Sequence, residues 1–282
     1  MAPGYVIVGD SMAGRVDPSR LVALTNQMVA PILQNATGSA YWYLVLKNYV
    51  VESGVRPKRT VIFFRDTNLT EPLFRLEGPY RPTVDQVAHD REDELNAVVA
   101  ARMTGPWFRV HRLVDRAYDI DRARTWLEPR LTLWAAGVAA GTGRREAFVE
   151  SVNATFALDR LRPMAQADLA AASDREADFA ANVSTSVLPL IVTLAHERDL
   201  PLCFVRVLRR PVNGQPPPES PALQRYVADL AAYLGAHGAA FLDDRDDPAL
   251  SGLAYSDGDH IAGEERPHYT ELFAAKLARL DR

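Results

Sequence analysis

Ser11, Asp257 and His260 are residue types that together can carry out acyl transfer. Ser11 follows Gly9 and Asp10, directly after a short apolar run. A serine hydroxyl is a poor nucleophile near neutral pH, and histidine, with an ordinary pKa of about 6.5, is suited to accept its proton. His260 stands three residues after Asp257, a spacing that allows the carboxylate to fold back and hold the imidazole in one tautomer.

Other interpretations of these residues stay open at this point. Glycine, aspartate and serine are common in turns, and Ser11 could simply cap the helix that follows. Asp257, Asp259 and His260 are also a donor set for a divalent metal ion. A plain acidic turn before the last helix would have the same composition.

Two further residues could stabilise a developing negative charge. Gly38 lies in a polar turn after a second apolar run, where a glycine lets the backbone approach a ligand closely. Asn68 follows a third run, and an asparagine amide that donates to an oxyanion is worth about 3 kcal/mol in other hydrolases. Taken singly, each also fits an ordinary turn residue.

The elements that must position these residues alternate along the chain. Apolar runs predict strands at 5–8, 28–33, 60–64, 201–208 and 239–242, and apolar periodicity predicts helices at 39–53, 178–198, 223–234 and 269–280. Pro31 favours an edge position for the second strand. This alternation predicts a parallel sheet with helices on both faces and a site beyond the carboxyl ends of the strands.

The middle of the chain has a different pattern. No convincing strand occurs at about 71–182, a segment that contains three of the four tryptophans, Trp107, Trp126 and Trp134. We predict one α/β domain over residues 1–282 with a large helical insertion there.

Composition excludes several classes of partner. The formal net charge is −4 with both signs mixed, and no basic stripe indicates a nucleic-acid partner. No apolar stretch reaches the roughly 18 residues of a membrane span, and no signal peptide precedes the first strand, although a leader or anchor could have been removed. Cys203, the single cysteine, lies in an apolar run and is expected to be a buried structural thiol.

In order and placement, these motifs resemble the GDSL/SGNH hydrolase superfamily. The resemblance covers residues 4–70 and 200–282 and rests on Val8-Gly9-Asp10-Ser11, Gly38, Asn68 and Asp257-x-x-His260. The third block departs from the usual Gly-x-Asn-Asp, since the chain has Asp66-Thr67-Asn68-Leu69.

The resemblance implies a role for each residue. Ser11 would attack an ester carbonyl, with His260 as general base and then general acid and Asp257 orienting it. The amides of Ser11 and Gly38 and the side chain of Asn68 would form the oxyanion hole. It also implies a three-layer α/β/α sandwich with a flavodoxin-like sheet, and neither a cofactor nor a metal ion.

The expected activity is hydrolysis of a small acyl ester, most plausibly an acetyl ester of a carbohydrate, through a covalent acyl-enzyme. The long insertion resembles elaborations of SGNH domains in polysaccharide O-acetyltransferases, so transfer to a sugar hydroxyl is the alternative. A further alternative is an inactive carbohydrate-binding module. Asp10, Arg15 and Arg65 are candidate contacts for substrate, unless the arginines form salt bridges with Asp10 or Asp66.

Overall fold

A five-stranded parallel sheet forms the centre of the described α/β unit. The computed structural model describes residues 3–71, 74–76, 80–89, 92–102 and 175–282. The strands are β1 (Tyr5–Gly9), β2 (Val29–Leu33), β3 (Arg59–Phe64), β4 (Leu202–Arg206) and β5 (Ala240–Asp243). They are arranged in the order β2-β1-β3-β4-β5, which is the flavodoxin-like order, and β2 lies at an edge as Pro31 predicts.

Helices connect the strands. Those in the described residues are α1 (Pro18–Thr25), α2 (Ser39–Val45), α3 (Arg81–Asp85), α4 (Asp93–Arg102), α5 (Phe179–Val183), α6 (Leu188–Glu197), α7 (Pro221–Ala236) and α8 (Arg266–Leu280). A π-helical segment, Leu46–Val51, extends α2, and a short 3₁₀ helix, Ser11–Arg15, follows β1. Within the same residues, no helix is both long and apolar enough to cross a membrane.

The central strands are apolar on both faces because helices cover both. The side chains on one face of the sheet pack with α2, α6 and α7: Val6, Val8, Ile62, Phe64, Leu202 and Phe204. The side chains on the other face pack with α1 and α8: Tyr5, Ile7, Val61, Phe63, Cys203 and Val205. The predicted three-layer α/β/α sandwich is therefore confirmed. Cys203 is buried as expected, and burial raises the pKa of its thiol to about 12.

The helix predicted over 178–198 is wrong in one respect, because it is two helices. The Ser186 hydroxyl donates to the Val183 carbonyl 2.8 Å away and accepts from the Leu188 amide, so it ends α5 and begins α6. Pro189 then occupies the first turn of α6, where its missing N–H costs nothing.

The predicted insertion is described only in part. α3, α4 and most of α5 fall within 71–182 and are helical. Residues 103–174, with Trp107, Trp126 and Trp134, lie outside the described residues, and their helical structure stays a prediction.

Candidate active site

The predicted site residues follow different strands and share one edge of the sheet. All five strands are parallel, so their carboxyl ends meet at this edge. Ser11 follows β1, Gly38 follows β2 and Asn68 follows β3. The loop that contains Asp257 and His260 comes after β5, and is closed by an antiparallel bridge between residues 255 and 261.

Asp10, and not Ser11, caps the 3₁₀ helix after β1. The Asp10 carboxylate accepts the Met12 amide at 2.9 Å. Gly9 is required there, because a Cβ at this position would lie 2.8 Å from the Cβ of Ala13. Ser11 is half-buried, and its hydroxyl forms no hydrogen bond with any residue that the structure describes. This leaves the hydroxyl available to a substrate.

Arg75 joins the turn that contains Ser11 to the turn that contains Gly38. Its Nη1 donates to Asp10 Oδ2 at 2.6 Å and to the Thr37 carbonyl at 3.0 Å. Asp10 is buried, and its carboxylate already accepts from Arg75 and from the Met12 amide. This favours a positioning role over substrate contact. Arg75 belongs to no recognisable motif, and sequence analysis missed it.

Asp257 and His260 are brought together as predicted. The ring nitrogen Nδ1 of His260 lies 2.8 Å from both carboxylate oxygens of Asp257. Asp257 Oδ1 also accepts the backbone amides of Asp259 and His260, so the same carboxylate folds the loop. No hydrogen bond joins His260 to Ser11 in this structure.

Asp259 is a second carboxylate at the same nitrogen. Its Oδ1 lies 3.0 Å from His260 Nδ1, and its Oδ2 accepts from Arg65 Nη1 at 2.9 Å. Hydrogen bonding to Asp259 raises the pKa of His260 above its ordinary value, burial opposes this, and Asp257 adds to it. Sequence analysis had considered Asp259 only as a metal ligand.

Arg15 lies beneath the loop and is buried. Its Nη2 donates to the Asp259 carbonyl at 2.8 Å, and its Nη1 lies 3.4 Å from Asp244. Tyr269 and Lys276 also donate to the Asp244 carboxylate, which has no exposed surface. This placement supports a role in holding the loop from within rather than contact with substrate. Arg65 likewise pairs with Asp259, and its distance to Asp66 is 3.9 Å.

The three predicted oxyanion donors share one property. Within the described residues, neither the backbone amide of Ser11 or Gly38 nor the side-chain amide of Asn68 donates to another group. Asn68 as a residue is only 6% exposed. Gly38 is required by close packing, since a Cβ would lie 2.6 Å from the Phe74 carbonyl oxygen.

The departure in the third block has a backbone explanation. Asp66 stands where the block usually has glycine, and its φ of 44° lies in the left-handed region that glycine favours. Aspartate tolerates this conformation better than most residues. Burial raises the pKa of Asp66, and Arg209, 3.7 Å away, opposes this. Asp66 therefore adopts a backbone conformation that glycine would also adopt easily.

A small pocket adjoins this turn, with about 30 Å³ of space that water can occupy. It is lined by Asp66, the segment 206–209 after β4, the proline-rich segment 217–220, Leu223 and Arg245. A second pocket, with about 10 Å³ of such space, lies beside the start of α2 and includes Ser39, Ala40, Phe74 and Leu76.

The donor set for a metal ion is also present, although its surroundings disfavour a cation. Ligand atoms of Asp257, Asp259 and His260 lie within 4.8 Å of one another. Arg65 already supplies a positive charge to the Asp259 carboxylate. The hydrogen bonds at His260 Nδ1 also need a proton on that nitrogen, and a metal would displace it.

Comparison with known proteins adds little about activity. No family model matches the sequence, and no curated protein matches it. Among solved structures, a gut microbial diltiazem-metabolizing enzyme is similar, with a TM-score of 0.41 and 8% identity. The match covers 98% of this chain and 47% of that one, so the chain spans about half the length of that enzyme. A similarity this distant says nothing about activity, and only the site residues bear on it.

Proposed function

We propose that the chain is a serine ester hydrolase of the SGNH type. Ser11 is the nucleophile, His260 the base, and Asp257 the residue that orients the base. The observation that carries the proposal is the Asp257–His260 pair, with 2.8 Å separations at Nδ1, in a loop at the edge where Ser11 presents a free hydroxyl. A proton held on Nδ1 leaves Nε2 as the basic nitrogen.

The reaction follows from these roles. Nε2 of His260 accepts the Ser11 proton as the serine oxygen attacks the ester carbonyl. The imidazolium then protonates the departing alcohol oxygen, and the acyl group stays on Ser11. Water repeats the sequence in deacylation and releases the acid. Apo enzymes often have a long serine–histidine separation that tightens with substrate, so an unformed bond between Ser11 and His260 is compatible with this sequence.

The unpaired donors support the same proposal. A folded protein pairs nearly all its buried polar groups, and an unpaired donor is costly unless a ligand uses it. Ser11, Gly38 and Asn68 each have a donor without a partner among the described residues, and all three follow strands of the same edge. Together they would bind the oxyanion of the tetrahedral intermediate.

We propose an acetyl or similarly short acyl ester of a carbohydrate as substrate. The polar side chains of Asp66, Arg209 and Glu219 line the pocket beside the turn that contains Asn68, and such groups can hydrogen-bond to sugar hydroxyls.

O-acyl transfer by the same triad is the second candidate. The acyl-enzyme on Ser11 is common to both reactions, and a sugar hydroxyl can accept the acyl group in place of water. Exclusion of water from the acyl-enzyme separates the two outcomes. A third possibility, an inactive carbohydrate-binding module, is disfavoured by the intact Ser11, Asp257 and His260.

The test uses 4-nitrophenyl acetate, with and without oligosaccharide acceptors. Ser11→Ala should lower the rate by about 10³-fold or more, as in other triad enzymes. Ser53→Ala, at a serine whose hydroxyl bonds only to the nearby backbone of Val50 and Val55, is the matched control and should retain activity. If wild type and Ser11→Ala release acetate at the same background rate and no acceptor becomes acetylated, the proposed function is wrong.

A further inference from the structure

We propose that two carboxylates, Asp257 and Asp259, hold His260, and that Arg65 couples the second of them to the turn that contains Asn68. This inference rests on the proposed function, because it assigns positioning residues to the same base. Asp259 and Arg65 act through His260 and touch no substrate.

The geometry at the ring nitrogen carries the first step. Nδ1 of His260 lies 2.8 Å from each Asp257 oxygen and 3.0 Å from Asp259 Oδ1. The N–H donates to Asp257, and the Asp259 carboxylate lies at ion-pair distance from the same nitrogen. With both present, the ring is restrained from two directions.

The two carboxylates differ in their other contacts. Asp257 is the more exposed, with 23% of its side chain accessible, and its Oδ1 also accepts two amides of its own loop. The Asp259 side chain is 9% accessible and is anchored to another part of the molecule. Asp257 thus shapes the loop, and Asp259 fixes the loop to the sheet edge.

Arg65 provides that anchor. Its Nη1 donates to Asp259 Oδ2 at 2.9 Å, while its backbone carbonyl accepts the Asn68 amide at 3.0 Å. The base and the proposed oxyanion donor are thereby connected through one residue. A shift of the His260 loop away from β3 would break the ion pair before it changed the oxyanion turn.

The same contacts have opposite electrostatic effects on the base. The Asp259 carboxylate favours the imidazolium form of His260, and Arg65 offsets part of that negative charge. The charged groups around His260 in the described residues are Asp257 and Asp259, with Arg65 and Arg15 behind Asp259. Removing Asp259 should therefore lower the pKa of His260, and removing Arg65 should raise it.

The experiment measures the His260 titration directly and the activity separately. Imidazole signals are followed by NMR against pH in wild type, Asp259→Asn and Arg65→Gln, with the His260 signal assigned by its loss in His260→Gln. Asp246→Asn and Arg56→Gln, at exposed positions outside the site, are the matched controls. The pH profile of kcat/KM for 4-nitrophenyl acetate is recorded on the same samples.

We expect the two variants to move the His260 titration and the acid limb of kcat/KM in opposite directions. Asp259→Asn moves both to lower pH and Arg65→Gln moves both to higher pH, while the controls match wild type. Each variant should lower plateau kcat about three- to tenfold with little change in KM, because a looser base is misplaced for part of the time. Arg65→Lys keeps the charge and should titrate close to wild type.

Unshifted titrations in both variants, or shifts in the same direction, would overturn the inference. Thermal melts check folding. If Asp259→Asn does not fold, the direction of the His260 titration shift in Arg65→Gln alone decides. The titration needs no turnover. A wild-type protein without Ser11-dependent esterase activity would therefore refute the proposed function and leave the two-carboxylate arrangement to be judged by NMR.

Discussion

Asn68→Ala is the substitution that best separates an active-site role from a structural one. Asn68 is only 6% exposed and its side-chain amide donates to no described residue, whereas its backbone amide donates to the Arg65 carbonyl at 3.0 Å. Alanine keeps the backbone bond and removes only the unpaired amide. Since no protein partner is lost, the free energy of unfolding should change by less than about 1 kcal/mol.

The expected effect on catalysis is much larger. Removing one oxyanion donor costs about 10²–10³-fold in kcat in other hydrolases, or about 3–4 kcal/mol of transition-state stabilisation. KM should change little, because the donor acts on charge that develops only in the transition state. Steady-state hydrolysis of 4-nitrophenyl acetate gives both constants.

Asn48→Ala is the matched control for burial and residue type. Asn48 is 5% exposed, close to the 6% of Asn68, but its amide donates to the Val87 carbonyl at 2.8 Å and to Glu92 at 2.7 Å. Its loss leaves two acceptors without that donor and should cost about 1–3 kcal/mol of stability with kcat preserved. A kcat for Asn68→Ala within threefold of wild type, or a destabilisation equal to that of Asn48→Ala, would refute the assignment of Asn68 as an oxyanion donor.

Three more predictions concern packing, charge and pH. Gly38→Ala places a Cβ 2.6 Å from a backbone carbonyl oxygen that cannot rotate away, so we expect a loss of about 1–3 kcal/mol in a urea titration together with a lower kcat. Arg15→Met removes one partner of the buried pair with Asp244 and should cost about 3 kcal/mol, whereas Arg20→Met, in an exposed pair, should cost less than about 1 kcal/mol in the same titration. Because the pKa of His260 is raised and the base must be neutral, kcat/KM should fall as pH drops through a midpoint above the ordinary histidine value of about 6.5; a midpoint below that value would contradict this.

The sheet could be predicted from the sequence because its signals are local. Each strand is a short apolar run. Because helices cover both faces of the sheet, every central strand must be apolar on both faces, and several such runs in one chain support the same fold. Pro31 also predicts the edge position of β2, since a proline has no backbone N–H to donate to the hydrogen bonds of a central strand. The break between α5 and α6 was not predictable from the apolar stripe. Val187 is buried whether the segment is one helix or two, and only the hydrogen bonds of the Ser186 side chain reveal the break.

Less of the site could be predicted, and the difference is again physical. The Asp257–His260 contact needs only a three-residue turn, so spacing suffices to predict it. Arg75 and Arg65 act on partners that are far away in sequence, and an arginine's long side chain gives no local sign of its partner. Arg65 was considered with Asp66, its neighbour in sequence, yet it pairs with Asp259 across 194 positions.

The distribution of paired and unpaired groups is what links this fold to a function. Around the site, most charged side chains are already satisfied: Asp10 by Arg75, Asp259 by Arg65, and Asp244 by three donors. Among the predicted site residues, those with a group that has no partner in the described part of the chain are Ser11, Gly38 and Asn68, and these groups are neutral donors. A site built to bind a stable anion would instead be expected to present an unpaired cation. Free neutral donors, beside a histidine whose Nδ1 is held by carboxylates, suit a charge that appears only during the reaction, and this is why we favour acyl transfer over permanent binding of a charged ligand.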